Sequence, residues 1–299
     1  MYVVTGATGH TGNVVAKALL ARSEKVRVVG RNADRLKALV AEGAEPFAAD
    51  LTDVAGVTQA FVGAKAVYVM MPPNLASPDF RAFQNRVTDA ITEALRSTDV
   101  THAVTLSSIG ADKPDKTGPV VGVHYLEQQL NGIDGLNVLH LRAGYFMENT
   151  LAQIGILRAT GMAAGPLRPD LKLPMIATRD IGETAANALF SLDFRQKQTR
   201  ELLGQRDITM AEVAQIIGRA VGNPNLQYTQ APDEQVRAVL IQLGMSNMAD
   251  LILEMSAALN SGHMRALEPR SVQNTTPTSY ETFVTEEFVP LYEGKSAAA

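Results

Sequence analysis

The chain opens Tyr2-Val3-Val4-Thr5-Gly6-Ala7-Thr8-Gly9-His10-Thr11-Gly12, and few folds use such a start. The β-branched run at residues 2–5 predicts a buried strand, and Asn13 to Arg22 reads as a helix behind it. Glycines at 6, 9 and 12 lie between the two. Lacking side chains, they let the backbone approach a pyrophosphate, and the helix behind them points its amide groups and positive dipole end at it. The spacing is G-x-x-G-x-x-G, not the G-x-G-x-x-G of the standard dinucleotide fingerprint. Its weight comes from its setting, with a strand before it and a helix after it.

Val26-Arg27-Val28-Val29-Gly30 predicts the second strand of a β-α-β unit. An acid at the tip of this strand would accept hydrogen bonds from the ribose hydroxyls of NAD. Here the chain continues Gly30-Arg31-Asn32-Ala33-Asp34-Arg35. Arg31 stands at the tip, and its guanidinium fork suits a 2′-phosphate, so NADP(H) is expected in preference to NAD(H). Asn32 is expected to cap the next helix, and Arg35, one turn on, reads as a solvated charge.

Composition narrows the function classes. With 27 basic and 31 acidic residues and a net charge of −4, no basic face for nucleic acid is expected. The absence of cysteine excludes disulfides, thiolate nucleophiles and cysteine-held metals. The five histidines show no metal-ligand spacing, so no metal is expected; His140, in an apolar strand, reads as a core residue. No apolar stretch reaches a membrane span of about 18 residues, and with the first strand at residue 2 no signal peptide is expected. A cytoplasmic protein, monomer or homodimer, is the expectation.

Strand and helix signals alternate through six strands to Arg142. The third strand is Glu45–Ala49, the fourth Ala64–Met70, the fifth Ala103–Ser108 and the sixth Leu136–Arg142. Helices fall at 33–42, 54–61 behind Asp53, 78–96, and through Glu127 and Leu130. This pattern predicts an α/β fold, a Rossmann-type doubly wound parallel sheet, with a smaller mixed α+β C-terminal substrate lobe. Residues 1–150 form the NADP-binding domain and 151–299 the lobe, with 178–205 packing back onto the former. In the lobe, helices are expected at 149–160, 180–191, 210–221, 233–243, 246–261 and 279–289, and strands at 201–203 and 226–229. Arg179-Asp180 reads as a helix start whose acid complements the dipole. The terminal Ala297-Ala298-Ala299 is the one low-complexity run.

Six segments together resemble the NmrA-like family, an atypical branch of the short-chain dehydrogenase/reductases. They are Thr5–Gly12, Gly30-Arg31-Asn32, Ala49-Asp50-Leu51, Leu106-Ser107-Ser108-Ile109-Gly110, Arg142-Ala143-Gly144-Tyr145-Phe146-Met147-Glu148-Asn149 and Thr178-Arg179-Asp180-Ile181-Gly182. The branch holds NADPH-dependent quinone oxidoreductases, azo and triphenylmethane dye reductases, and non-catalytic NAD(P)-binding regulators. The resemblance implies that Gly6, Thr8, Gly9, His10, Thr11 and Gly12 form the pyrophosphate loop and that Arg31 meets the 2′-phosphate. It sets Asp50 and Leu51 by the adenine, and Met70, Met71 and Pro72 along the ribose. It sets Ser107, Ser108, Tyr145 and Phe146 near the nicotinamide, with Met147 and Asn149 on the substrate.

The chain departs from ordinary short-chain dehydrogenases where their chemistry lies. They carry Tyr-x-x-x-Lys after a serine, and the lysine lowers the tyrosine pKa so that it serves as acid and base. Here the spacing reads Tyr125-Leu126-Glu127-Gln128-Gln129, and a neutral amide cannot depress a phenol pKa by charge. The His-x-x-x-Glu often found in the branch is not intact either: if Glu127 is its glutamate, Val123 holds the histidine position and His124 is one residue off. Tyr125 and His124 are the candidate catalytic residues. A quinone needs less help than a ketone, because its reduced oxygen is a stabilised phenolate that water can protonate. The expected activity is therefore hydride transfer from NADPH to a quinone or similar conjugated aromatic of the azo or triphenylmethane type. Met70, Met71, Tyr145, Phe146 and Met147 offer an apolar platform for it. The alternative is an NADP(H)-sensing regulator acting through a protein partner. On either reading, Arg31→Asp is expected to weaken NADPH binding by at least about tenfold and NADH little, since a charge-assisted hydrogen bond contributes roughly 1.5–3 kcal/mol. Equal losses in a fluorescence titration with both dinucleotides would refute the 2′-phosphate role.

Overall fold

Buried β-branched strands and amphipathic helices alternate through the first 143 residues of this computed structural model, which describes residues 1–295. The elements are β1 (Tyr2–Thr5), α1 (His10–Leu20), β2 (Val26–Gly30), α2 (Lys37–Ala41), β3 (Glu45–Ala48), α3 (Val54–Phe61), β4 (Ala66–Val69), α4 (Phe80–Arg96), β5 (His102–Ser108), α5 (Val120–Asn131) and β6 (Asn137–Ala143). Then come β7 (Tyr145–Phe146), α6 (Gln153–Thr160), β8 (Ala163–Gly165), β9 (Leu173–Ile176), α7 (Thr178–Ser191), β10 (Lys197–Leu202), β11 (Asp207–Ile208), α8 (Met210–Ala220), β12 (Tyr228–Gln230), α9 (Asp233–Gln242), α10 (Ser246–Ser261), α11 (Tyr280–Phe283) and α12 (Val289–Tyr292).

The large sheet has seven strands in the order β10-β6-β5-β4-β1-β2-β3. Strand β1 lies at its centre, parallel to β2 and β4, with Val4 opposite Val28 and Tyr68. From β1 the chain moves outward to β3, then returns to β4 and moves the other way. Right-handed crossovers therefore place α1 and α2 on one face and α4 and α5 on the other; α1 packs on α2, and α3 and α5 both pack on α4. At this switch the loops after β1 and β4 diverge and leave a crevice at the carboxyl ends of the strands, where open α/β sheets bind ligands.

The sequence reading placed β1 to β6 to within two residues, and several other expectations are revised. Helix α1 starts at His10, because the chain is already helical through Gly12. The second predicted helix divides into a 3-10 turn at Ala33–Leu36 and α2, and Asn32 does cap it, accepting from the Asp34 amide at 2.8 Å. The strand expected at 201–203 is the end of β10, an edge strand of the large sheet.

By its internal contacts the chain divides into two units. The first holds 1–114, 119–142 and 181–200, and the second 115–118, 143–180 and 201 onward. The second unit contains a three-stranded sheet in the order β11-β9-β7 and a parallel pair, β12 and β8. The strand expected at 226–229 is β12, whereas β7, β8, β9 and β11 were not expected. Helix α8 is set by a full capping box: the Thr209 hydroxyl accepts from the Glu212 amide at 3.2 Å, and the Glu212 carboxylate accepts from the Thr209 amide at 2.8 Å. The helix predicted at 279–289 is present as one unbroken helical run, Tyr280–Tyr292, which widens to π geometry over Val284–Phe288 between α11 and α12.

Two polar rungs cross the otherwise apolar space between β5, β6 and α5. Thr105 and Ser107 share one face of β5, as strand alternation requires, and Asn131 and Glu127 stand one helical turn apart on α5. His140 on β6 forms the first rung, with Nδ1 2.8 Å from the Thr105 hydroxyl and Nε2 3.0 Å from Asn131 Oδ1. A neutral ring that accepts from Thr105 and donates to Asn131 satisfies both partners. Burial pushes the His140 pKa down to about 4, against a smaller opposing pull from the Glu127 carboxylate. The unfolded imidazole titrates near 6.5, so between pH 6.5 and 4 the unfolded chain takes up a proton that the folded chain refuses. Stability is therefore expected to fall across that window by on the order of 3 kcal/mol, and to be unaffected by this group above it. Urea unfolding from pH 7 to 5 checks this: His140→Gln should flatten the slope, and an unchanged slope would show that the imidazole titrates alike in both states.

Candidate functional site

The turn after β1 is built by removing side chains. Gly6 has φ +62°, and a Cβ on it would lie 2.5 Å from Met70 Sδ. A Cβ on Gly12 would lie 2.3 Å from the Gly6 carbonyl oxygen, so the first turn of α1 sits directly on the end of β1. The Gly9 amide closes the turn on Gly6 O at 2.9 Å. Gly9 is also the N-cap of α1, with no side-chain cap and no acid in the first turn. The amides of that turn have no partner within the helix and the positive end of its dipole is uncompensated, which is the donor set for an anion. Thr8 and His10 are exposed on this turn.

A hydroxyl chain braces the turn. Thr5 Oγ1 donates to Tyr68 O at 3.0 Å and accepts from the Met70 amide at 3.2 Å. The fully buried Tyr68 phenol donates to Thr11 Oγ1 at 2.9 Å. Burial raises the Tyr68 pKa, so the brace stays protonated and neutral. Thr11 is thus held from behind by a residue that sequence reading left in the apolar core of β4.

Arg31 leaves the tip of β2 exposed, with no hydrogen bond or ion pair among the described residues. Asp50, at the end of β3, accepts from the Thr52 amide at 2.9 Å and the Thr52 hydroxyl at 2.8 Å. The backbone bond from Thr52 lowers its pKa most, and the charges of Arg31 and Arg86 lower it further. Leu51 is buried beside it, and Met70, Met71 and Pro72 follow β4 half-buried. The glycine turn, Arg31, Asp50–Leu51 and Met70–Pro72 all follow carboxyl ends of neighbouring strands of the first unit. An uncapped helix start, a glycine cradle that a Cβ would fill and an unpaired guanidinium at the tip of the adjacent strand are a donor set that fits a phosphorylated dinucleotide.

On α5 the structure separates the candidates. Tyr125 turns to the seam with α4, where its hydroxyl donates to Asp89 at 2.9 Å. That bond raises its pKa, the opposite of what a lysine partner does in a Tyr-x-x-x-Lys site. Tyr125 is two residues, about 200° of helix, from Glu127, and it is Glu127 that faces inward, 1% exposed. Glu127 receives Arg142 on both oxygens, Nε at 3.0 Å and a terminal nitrogen at 2.6 Å, and the Ser107 hydroxyl at 2.5 Å. Sequence reading singled out all three residues without joining them. A lone acid between buried Leu126 and Leu130 and a lone arginine in an apolar strand were the available signal. Ser108 Oγ donates to Ile109 O at 2.9 Å. His124 donates from Nδ1 to the Ala111 carbonyl at 2.8 Å, which leaves Nε2 as the acceptor of the neutral ring.

The remaining candidates lie in the second unit. Tyr145 forms β7 with Phe146; burial pushes its phenol up to about 12, against a hydrogen bond with Asn149 that pulls the other way. Met147 is buried and Asn149 exposed. Glu148 takes the Thr178 amide at 2.8 Å and hydroxyl at 2.5 Å, and so caps the start of α7. Asp180 does not serve the dipole alone: its carboxylate receives the Thr278 amide at 3.0 Å and hydroxyl at 2.6 Å. The conspicuous Thr178-Arg179-Asp180 run is an anchor for the segment around Thr278. Among the described residues no cluster of histidine and carboxylate groups has the arrangement of a metal site, and no helix is long and apolar enough to cross a membrane.

Residues 2–289 match the NmrA-like family. The chain belongs to that family. It is 28% identical over 260 residues, 86% of each chain, to the NAD(P)H azoreductase of Xenophilus azovorans. It is 24% identical over 268 residues to quinone oxidoreductase 2 of Escherichia coli, covering 88% of this chain and 89% of that one. In three dimensions it resembles the Citrobacter sp. triphenylmethane reductase complexed with NADP(H), with a TM-score of 0.80 at 19% identity over 95% of this chain and 99% of that one. With Tyr125 hydrogen-bonded on the α4–α5 seam, Tyr125→Phe is expected to change kcat less than about twofold, where loss of a general acid would cost roughly 10²–10⁴. A hundredfold drop in steady-state turnover would return the phenol to the chemistry.

Proposed function

We propose that this protein transfers hydride from NADPH to a quinone or a similar conjugated, electron-poor aromatic. The chain is an NAD(P)H-dependent reductase by family and by its two named relatives, an azoreductase and a quinone oxidoreductase. The observation that carries the reading to this substrate class is the state of α5: the helix presents no tyrosine–lysine pair, and the inward carboxylate is already held by an arginine. With Tyr125 turned to Asp89 and Glu127 held by Arg142, α5 favours an acceptor that needs little acid catalysis. Quinones meet that condition, since hydride addition gives a resonance-stabilised phenolate that solvent can protonate.

When bound, the nicotinamide supplies the hydride; everything else falls to the chain. The first turn of α1 and the glycine turn hold the pyrophosphate with backbone amides. Arg31 binds the 2′-phosphate as a fork, which is the basis for expecting NADPH over NADH. Asp50 and Leu51 border the adenine, and Met70, Met71 and Pro72 the ribose. Tyr145, Phe146, Met147 and Asn149 serve the nicotinamide and the acceptor. Holding hydride donor and acceptor in contact, with water partly excluded, is the main source of rate in such a reaction.

The alternative of a non-catalytic NADP(H) sensor is not favoured by the reductase relatives. Steady-state oxidation of NADPH and NADH against benzoquinones, naphthoquinones, an azo dye and a triphenylmethane dye separates the two. The reductase reading expects turnover on at least one acceptor, at least tenfold better in kcat/KM with NADPH. Micromolar NADPH binding without turnover on any of them would overturn it in favour of the sensor.

A further inference from the structure

Ser107 sits one residue before the end of β5, 3% exposed, and its single hydroxyl proton points at Glu127. Glu127 has no freedom to give that proton back. Both of its oxygens are occupied by Arg142, it is 1% exposed, and the ionised form is the one a bidentate guanidinium requires. A carboxylate can only accept, so the Ser107 hydroxyl can only donate to it. What remains on Ser107 Oγ is its lone pairs. The serine is thereby fixed as an acceptor toward any third group. In an ordinary short-chain dehydrogenase, a hydroxyl near this point would be free to donate to a substrate oxygen.

We propose that Glu127 is a positioning residue that sets the polarity of Ser107, and that the donor Ser107 receives is the carboxamide NH2 of the nicotinamide. The assignment rests on the reductase reading above and on the family resemblance, which sets Ser107 near the nicotinamide. The chemistry favours this partner over the others available. A quinone or azo acceptor presents oxygen or nitrogen lone pairs, which a lone-pair-only serine repels, and the ribose hydroxyls can turn to either polarity. The carboxamide NH2 is a donor and nothing else. The carboxamide is also the group that must be fixed for one face of the ring to be offered. The buried Glu127–Arg142 pair would then act on the reaction through one proton, at a distance of one residue from the cofactor.

The test uses a cofactor rather than a substrate. In the 3-acetylpyridine analogue of NADP⁺ a methyl group replaces the carboxamide NH2 at nearly the same volume. Calorimetric titration of the purified protein with the two oxidised dinucleotides needs no turnover. Wild type is expected to bind NADP⁺ about 5- to 10-fold more tightly than the analogue, the size of one neutral hydrogen bond. Ser107→Ala removes the acceptor and keeps the ion pair; it is expected to bring the two affinities within twofold by weakening NADP⁺ alone. Glu127→Asp keeps the charge but draws the carboxylate back from Ser107, and should lower the same ratio. A loss of packing at either site would weaken both dinucleotides equally and leave the ratio as in wild type, which would overturn the proposal. A wild-type protein that binds neither dinucleotide would overturn the dinucleotide reading itself, and this assignment with it. A wild type that binds both and turns over, with a ratio near one, would overturn this assignment and leave the reductase standing.

Discussion

A guanidinium and a carboxylate, both drawn out of water, decide how α5 faces the sheet. Arg142 is carried by β6 and Glu127 by α5, and together with Ser107 on β5 they form one connected set of charge-assisted bonds. Breaking a buried pair from one side strands the other charge at a cost of roughly 3–5 kcal/mol, so the pair tolerates little rotation of the helix. Everything else on α5 follows from that choice. Leu126 and Leu130 take the apolar side, Asn131 meets His140, and Tyr125 is carried round to Asp89. The chemistry available at the strand ends is in this sense a by-product of a packing decision.

The dinucleotide turn shows the opposite logic, in which function is obtained by leaving things out. Gly6, Gly9 and Gly12 clear the volume, Gly9 provides no capping side chain, and the first turn of α1 carries no acid. The compensating order comes from below, where Thr5, Tyr68 and Thr11 hold the two strand ends and the helix start together. A floor that is rigid and a surface that is unsatisfied are complementary requirements for gripping an anion with main-chain donors.

The alternation of strands and helices was legible because the central strands β1 and β4 are buried on both faces and the helices carry apolar stripes at regular spacing. The glycine turn and Arg31 were legible for the same kind of reason: their meaning lies in local order along the chain. The strands at Tyr145–Phe146, Ala163–Gly165, Leu173–Ile176 and Asp207–Ile208 were not legible, being two to four residues long, too few to establish a period. Nor was the orientation of α5. Spacing alone matched Tyr125 to a catalytic tyrosine, yet a motif fixes only separations along a helix and leaves its rotation to partners elsewhere in the chain. Arg142 lies 15 residues beyond Glu127, and Asp89 lies 36 before Tyr125. The same holds for Asp180, whose partner Thr278 is 98 residues away.

The bare start of α1 also bears on the life of the protein. A helix end with open donors is better satisfied with an anion upon it than with water, so the folded chain gains stability with every occupied site. At a free dinucleotide level one hundred times the dissociation constant the gain is about 2.7 kcal/mol, roughly a hundredfold fewer unfolded molecules. Degradation works on those unfolded molecules. On the proposed reading, the turn also couples how long each copy survives to how much cofactor surrounds it.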